Sequence, residues 1–208
     1  PKKADSCGAS GCECNGGPAC ATGECMGNLG CVDLQTDPNN CGALGNDCLG
    51  GPCVNGNCQL VTVDISQMTN HTPGDEGISC GSSTTVGVNS WWRRFYFNEH
   101  SQVRTKARIK SVTVTTGDNA VYSGLPSRIN LYTLPHSTPI NTIPTGSLTL
   151  IGTATTTIFG SYSTATIPVT GLVDDTANKD LVVEWYTDGS SQGSFFPGGN
   201  STYETHPT

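Results

Sequence analysis

Beyond residue 58, short runs of alternating or β-branched apolar residues are separated by clusters of Gly, Pro, Asn and Asp. A two-residue period is typical of strands, and no window of useful length has the three- or four-residue spacing of a helix. The pattern predicts strands at residues 60–65, 86–97, 108–115, 128–134, 147–158, 163–169 and 181–187, with a shorter one at 194–196.

The number of these strands indicates how they pack. Seven or eight strands between turn clusters favour an antiparallel β-sandwich, jelly-roll-like in size, over residues 59–208. The alternation is clearest in two runs, whose side chains we expect to face the core: Ile129, Leu131, Tyr132, Leu134, Leu181, Val183 and Trp185.

Residues 1–58 lack this pattern and are rich in cysteine instead. Ten of the eleven cysteines lie there: Cys7, Cys12, Cys14, Cys20, Cys25, Cys31, Cys41, Cys48, Cys53 and Cys58. This density is typical of small secreted domains, in which disulfides replace a hydrophobic core. The fold class is therefore all-β, with a disulfide-rich, turn-dominated N-terminal domain (1–58) followed by the sandwich domain (59–208).

The cysteine-rich part contains a repeat. CNGGPACATGEC at residues 14–25 matches CLGGPCVNGNC at 48–58, with one residue inserted. Because the segment has no C-x2-C pair and no histidine, disulfides fit it better than a zinc site. Spacing does not fix the pairing, and we expect neighbouring cysteines within each copy to be bonded. Cys80 stands apart, and we expect it to be unpaired within this chain, with its partner missing or in another chain.

The segment that joins the two copies has a recognisable pattern. TDPNNCGALGNDC at residues 36–48 resembles the DPxNCGxCGxxC repeats of secreted Cys-rich bacterial proteins and of the plant stigma-specific family. The resemblance covers residues 36–58. It departs from the pattern at Leu44, where those repeats often carry another cysteine.

Charge and composition narrow the function classes. The net charge is −7 and only 13% of residues are charged, so Thr, Ser, Asn and Gly supply most of the polarity. Nucleic-acid binding usually needs a strong basic field, and a membrane span needs a long apolar run. Neither is present in the sequence. Together with the cysteines, this predicts an extracellular or cell-surface protein.

No local motif indicates catalysis. The sequence lacks a nucleophile elbow, a metalloprotease motif and a phosphate-binding loop, and its four histidines are scattered among turn residues. We therefore expect no enzyme activity, no catalytic residue and no cofactor. Two acidic pairs, Asp75-Glu76 and Asp174-Asp175, are interpreted as solvated turn residues; the alternative is a structural calcium site, because calcium prefers carboxylate ligands.

The most distinctive stretch is SWWRRFYF at residues 90–97. As a strand, it turns two sets of side chains to opposite faces: Trp91, Arg93, Phe95 and Phe97, against Trp92, Arg94 and Tyr96. Trp92 and Tyr96 could form a platform that stacks on a sugar ring. The alternative, which we favour, is that they pack under a loop or at a subunit contact.

Basic residues are concentrated after this stretch. Six of the ten cations lie within 18 residues: Arg93, Arg94, Arg104, Lys106, Arg108 and Lys110. Arg94, Arg104 and Lys106 join the candidate platform. The stripe would suit an acidic partner, including a second copy of this chain, and it would equally suit a strand edge protected by charge.

Residues 61–197 also show an ordered series of motifs: ISCGS at 78–82, NSWWRRFYF at 89–97, SVTV at 111–114, INLYTL at 129–134, LIGTAT at 150–155 and LVVEW at 181–185. The series resembles a β-sandwich module appended to secreted bacterial surface proteins and exported hydrolases. The resemblance implies an adhesive, targeting or carbohydrate-contacting role. It also implies a further strand and cysteine beyond residue 208, which would give Cys80 a partner.

Three hypotheses for the function follow. The first is a non-enzymatic structural subunit or adhesive module of an extracellular assembly such as a fibre, coat or matrix, which associates with itself, another surface protein or a glycan. The second is a carbohydrate-binding module of a secreted bacterial protein. The third is a small secreted hydrolase or inhibitor.

Overall fold

The computed structural model describes residues 7–8, 11–13, 19–20, 24–26, 30–66, 85–119, 124–139, 142–190 and 195–197. Strands dominate this part of the chain, which confirms the all-β class. Backbone contacts divide the chain into two compact units, Pro1–Val63 and Asp64–Thr208. The sequence placed the boundary between residues 58 and 59.

The first unit contains only very short strands where it is described. They are β1 Cys7–Gly8, β2 Gly11–Glu13, β3 Ala19–Cys20, β4 Glu24–Met26, β5 Gly30–Val32, β6 Cys53–Val54 and β7 Asn57–Cys58. They form three small antiparallel sheets, β1-β2-β3, β4-β5 and β6-β7. The β6-β7 hairpin turns through Asn55 and Gly56, whose φ angles of 50° and 73° are the left-handed values that a two-residue hairpin loop requires.

Two disulfides hold the described part of this unit together. Cys41 is bonded to Cys53, and Cys48 is bonded to Cys58. The Cys48–Cys58 bond joins two cysteines of one repeat copy, as expected, but they are not neighbours. The expectation is wrong for Cys53, which is bonded to Cys41 outside the copy. The reason lies in the hairpin, where Cys53 and Cys58 are directly opposite each other and each bonds a cysteine of the preceding loop. Cys41 and Cys48 are almost fully buried, so half-cystines form this small core.

The second unit contains the long strands. They are β8 Asn89–Phe95, β9 Ala107–Asn119, β10 Leu125–Pro135, β11 Thr149–Ile158, β12 Thr164–Val173, β13 Lys179–Thr187 and β14 Phe195–Pro197, with single 3-10 turns at Phe97–Glu99 and Thr145–Ser147. These confirm seven of the predicted strands. The strand predicted at residues 60–65 is wrong: Leu60 and Val61 are exposed, and no strand of the described chain pairs with this segment.

The strands of the second unit form two antiparallel sheets. Their orders are β11-β10-β13-β8 and β12-β9-β14. Buried side chains from both sheets make one hydrophobic cluster, to which β12 contributes Ile167, Val169 and Val173 and β14 contributes Phe195. Five of the predicted core residues are confirmed as members of this cluster, Ile129, Leu131, Leu181, Val183 and Trp185, and Leu134 is fully buried as well. The prediction is wrong for Tyr132, which is only partly buried because strand alternation turns it to the other face of β10.

Candidate functional site

Strand alternation places Trp92 on the face of the four-stranded sheet that points away from the core. Its neighbour Trp91 packs in the core against Trp185 and Phe195. Across the sheet, Trp92 is opposite Glu184 of β13, which is opposite Asn130 of β10, which in turn is opposite Thr153 of β11. We call the surface formed by Trp92, Asn130, Tyr132, Thr153 and Glu184 the Trp92 face.

A chain of hydrogen bonds runs beneath the Trp92 face. Thr153 Oγ1 donates to Asn130 Oδ1 at 2.7 Å, and Asn130 Nδ2 donates to Glu184 Oε2 at 2.8 Å. Glu184 also accepts from Ser90 Oγ at 2.6 Å and from Tyr132 OH at 2.9 Å. The Glu184 side chain is 7% exposed, and three donors compensate its carboxylate for lost water. The polar groups of this face are therefore fixed in place.

Two aromatic rings lie above this network. The Trp92 and Tyr132 rings are 5.6 Å apart at an angle of 30°, and both side chains are partly exposed. Burial raises the pKa of Tyr132 above its ordinary value of 10.0, and the hydrogen bond to Glu184 raises it further. The Tyr132 hydroxyl is therefore protonated at neutral pH and keeps donating to the carboxylate.

A second aromatic group lies on the same face, two residues along the strands from Glu184 and Asn130. Tyr186 of β13 is opposite Arg128 of β10, and the Arg128 guanidinium carbon lies 4.6 Å from the Tyr186 ring centroid. Tyr186 OH donates to Asp188 Oδ1 at 2.6 Å, which raises the pKa of Tyr186. The four-stranded sheet thus presents ring faces and hydroxyls on a rigid support, and these can orient a polar ligand that has an apolar side.

Arg94 and Tyr96, which the sequence placed on the candidate platform, are buried. They are 2% and 6% exposed, and the Arg94 guanidinium lies 4.6 Å from the Tyr96 ring centroid. Arg94 Nε and Nη2 donate to Asp180 Oδ2 at 2.9 and 2.7 Å. The sugar-platform alternative is therefore wrong for these two side chains, because a fully buried carboxylate draws the arginine inward. They pack under the loop that follows β10, which is the interpretation that we favoured: Tyr96 contacts the His136 ring, and Arg94 donates to carbonyls of this loop. Tyr132 takes the place of Tyr96 beside Trp92.

Arg94 also fixes the loop between β10 and β11. Its two terminal nitrogens donate to the carbonyl oxygens of His136, Thr138, Pro139 and Thr142. His136 Nδ1 lies 2.8 Å from Asp180 Oδ1, and Asn98 Nδ2 lies 3.3 Å from His136 Nε2. Sequence reasoning treated His136 as one of four scattered histidines and missed this cluster. The one sequence feature that could have indicated it is Asp180, a charged residue directly before the apolar run of β13, where a buried carboxylate needs a charged partner.

The remaining cations of the candidate platform lie elsewhere. Arg104 and Lys106 are on the segment that leads into β9, in the three-stranded sheet, rather than on the strands of the Trp92 face. The Arg104 carbonyl accepts a hydrogen bond from Thr176 Oγ1. The predicted platform is thus divided between two sheets, and only Trp92 remains on the Trp92 face.

Asp174 and Asp175, one of the two acidic pairs of the calcium hypothesis, are hydrogen-bonded to residues of their own turn. Asp174 Oδ1 accepts from Lys179 Nζ at 2.7 Å, which lowers the pKa of Asp174. Asp175 Oδ2 accepts from Asn178 Nδ2 at 2.9 Å. Where the chain is described, the one group of potential metal ligands close together is Cys41, Cys48 and Cys58, whose sulfurs belong to the two disulfides. The calcium hypothesis therefore gains no third ligand here.

Some predicted residues lie outside the described part of the chain. They are Cys80, Asp75, Glu76 and Cys14, together with the side chains of Cys7, Cys12, Cys20, Cys25 and Cys31. The predictions for these residues stay predictions.

Two general findings complete this description. None of the helices in the described segments is long and apolar enough to cross a membrane. Comparisons with protein-family models, with curated proteins and with solved structures found no match for this chain. The case for a function therefore rests on the Trp92 face.

Proposed function

We propose that this protein is a secreted, non-enzymatic adhesive module of an extracellular or cell-surface assembly, and that it binds carbohydrate through the Trp92 face. In this proposal residues 59–208 form a β-sandwich, jelly-roll-like in size, whose two sheets enclose the shared core. The disulfides of the first unit support an oxidising, extracellular location.

The observation that carries the proposal is the Trp92–Tyr132 ring pair above the Glu184 network. A sugar ring has an apolar face of C–H groups and a rim of hydroxyls. The aromatic pair can contact the apolar face, while the exposed Thr153 hydroxyl, which the buried Asn130 side chain holds in place, can contact a ligand hydroxyl. Because the polar groups are already hydrogen-bonded in place, little ordering is needed on binding.

Trp92→Ala tests this proposal. Wild type and variant are compared on a glycan array and by retention on immobilised neutral polysaccharides. We expect the variant to bind at least about 10-fold more weakly, since a central tryptophan contact is typically worth about 2 kcal/mol. Leu172→Ala is the matched control, because Leu172 is also exposed but lies on β12 of the other sheet; it should bind like the wild type. Equal binding by Trp92→Ala, or no glycan bound by the wild type, would contradict the proposal.

One observation favours a second candidate, a structural subunit that assembles with itself. Strand β9 pairs with β12 at residues 107–115 but with β14 only at Thr116 and Asn119. Among the described residues, no strand pairs with the other edge of residues 111–115, so this edge could accept a strand from a neighbouring copy. Light scattering after size-exclusion chromatography, with electron microscopy, tests this: a monomer at all concentrations would contradict it.

A further inference from the structure

Strand β11 continues the Trp92 face toward one end of the sheet. Its alternate residues Thr153, Thr155 and Thr157 are exposed, and Phe159, directly after the strand, is exposed in the same alternation. Thr153 belongs to the Glu184 network through Asn130, so the row begins on the Trp92 face. At about 3.3 Å per residue, the row extends about 20 Å from Thr153 to Phe159.

The neighbouring strands complete the surface beside this row. Thr155 is opposite Arg128, and Thr157 is opposite Pro126. Arg128 stacks on Tyr186, whose hydroxyl donates to Asp188. The row and its neighbours therefore offer threonine hydroxyls, two aromatic rings (Phe159 and Tyr186) and charges of both signs. This mixture suits an uncharged polar ligand better than a polyanion.

The row ends at a loop that carries two exposed aromatic residues, Phe159 and Tyr162. Phe159 is 60% exposed. A side chain at Gly124 would collide with the Phe159 ring and with the Thr157 methyl group. Glycine at this position thus lets the inner side of the ring rest on the backbone, while the rest of the ring faces outward.

Tyr162, in the same loop, is held in an unfavourable conformation. Its φ of 48° lies in the left-handed region, and the side chain is 51% exposed. This conformation costs a non-glycine residue about 1–2 kcal/mol. Two hydrogen bonds to β9 anchor the loop. Ser163 N donates to Oγ1 of the buried Thr116 at 3.0 Å, and Tyr162 N donates to the carbonyl oxygen of Gly117 at 2.9 Å. Strained residues cluster at ligand-binding sites, which motivates a test of this loop as a ligand contact.

We infer that the Trp92 face, the β11 threonines and the Phe159–Tyr162 loop form one elongated track for a linear, uncharged polysaccharide chain. The inference rests on the proposed carbohydrate binding and adds that the ligand is an extended polymer. Residues 157–164 contain no charged side chain, which agrees with an uncharged ligand. A lipid surface is the weaker occupant, because no cation in this loop could attract lipid headgroups and the chain is acidic overall.

The test is the dependence of affinity on ligand length. Calorimetry is done with size-graded linear β-1,4-glucan oligomers, from dimer to octamer, and with the corresponding oligomers of any neutral polysaccharide that retains the wild type. We expect wild-type affinity to rise until the oligomer is about 25 Å long, the oblique distance from Trp92 across three strand spacings of about 4.8 Å and along the row to Phe159. Phe159→Ala should lower octamer affinity about 10-fold and leave dimer affinity unchanged. Trp92→Ala should weaken both, and Leu172→Ala neither.

Tyr162→Gly separates binding from folding. Glycine accepts the left-handed conformation without strain, so the melting temperature should be unchanged or higher. Octamer affinity should nevertheless fall. A Phe159→Ala variant with the wild-type length dependence would overturn the inference, as would wild-type binding that does not increase with length. If wild-type binding does not increase with length but Trp92→Ala abolishes dimer binding, only the inference fails and the proposed function is retained. If the wild type binds no oligomer and no polysaccharide, both the inference and the proposed function are wrong.

A lipid control completes the test. Wild type and Phe159→Ala are sedimented with phosphatidylcholine vesicles. We expect neither protein to bind. If the vesicles retain the wild type but not the variant, the loop is a lipid contact and the inference is overturned.

Discussion

Arg94 is buried, although arginine ordinarily keeps its charge in water, and its neighbour Arg93 on the same strand is exposed. The difference follows from the fully buried Asp180, whose carboxylate needs a charged partner, and from loop carbonyls that need donors. One side chain thereby connects β8, β13 and the loop after β10. The pair stabilises the arrangement as a unit, because losing either charge would leave the other buried and unpaired.

Arg94→Ala is therefore expected to lower the free energy of unfolding of the second unit by about 3–5 kcal/mol. Arg94→Lys should recover only part of this, since an ammonium group cannot make the paired contact or reach all four carbonyls. Arg108→Ala is the matched control, because Arg108 is exposed on β9 of the other sheet, and it should change stability by at most about 0.5 kcal/mol. Urea unfolding followed by tryptophan fluorescence measures all three. Equal effects of the Arg108 and Arg94 substitutions to alanine would contradict the assigned role.

At the scale of elements, the sequence predicted what depends on local pattern. Strands β8 to β14 were located to within a few residues because side-chain alternation is a property of each strand alone. Residues 60–65 have strand composition, but a strand also needs a partner, which composition does not reveal. The Trp92 face was predicted only through Trp92. Its partner Tyr132 comes from a strand 40 positions away, and only the register of β8, β13 and β10 brings the two together.

The loop between β5 and β6 depends on two exposed aspartates whose pKa values are lowered from 3.8. For Asp33 the main cause is the hydrogen bond from the Thr36 hydroxyl, followed by that from the Gln35 backbone N–H. For Asp37 the main cause is the bond from the Asn40 side chain, followed by that from the Asn39 backbone N–H. Because the pKa is lower in the folded state than in the unfolded state, the ionised carboxylates stabilise the turn at any pH above the unfolded-state pKa. This stabilisation is lost as the pH falls through the folded-state pKa.

We therefore expect the loop to open more often in acid below about pH 3.8, the ordinary aspartate value. Hydrogen exchange at the Gln35 and Asn39 amides, corrected for intrinsic rates, measures this opening at pH 5 and near pH 2.5. Asp33→Asn is the control for Gln35, because asparagine keeps an oxygen acceptor but does not titrate, so protection should no longer depend on pH. Protection at Gln35 that is equal at both pH values in the wild type would contradict the prediction.

At the scale of the whole molecule, the two units are stabilised by different means. Where it is described, the first unit packs half-cystines around a loop and a hairpin, whereas the second buries aliphatic and aromatic side chains between two sheets. The two disulfides span 12 and 10 residues. Closing loops of this size contributes about 3 kcal/mol each in the chain-entropy description.

This difference predicts that the units respond separately to loss of a disulfide. In the double variant Cys48→Ser, Cys58→Ser, exchange protection should fall at the Cys41 and Gly56 amides, which are hydrogen-bonded to Asn46 and Gln35 carbonyls. The melting temperature of the second unit and its binding to immobilised polysaccharide should stay as in the wild type. Calorimetry and the retention assay measure these quantities, with Arg94→Ala as the reverse control, since it should destabilise the second unit and leave the Cys41 amide protected. A fall in polysaccharide binding in the cysteine variant would show instead that the first unit takes part in adhesion.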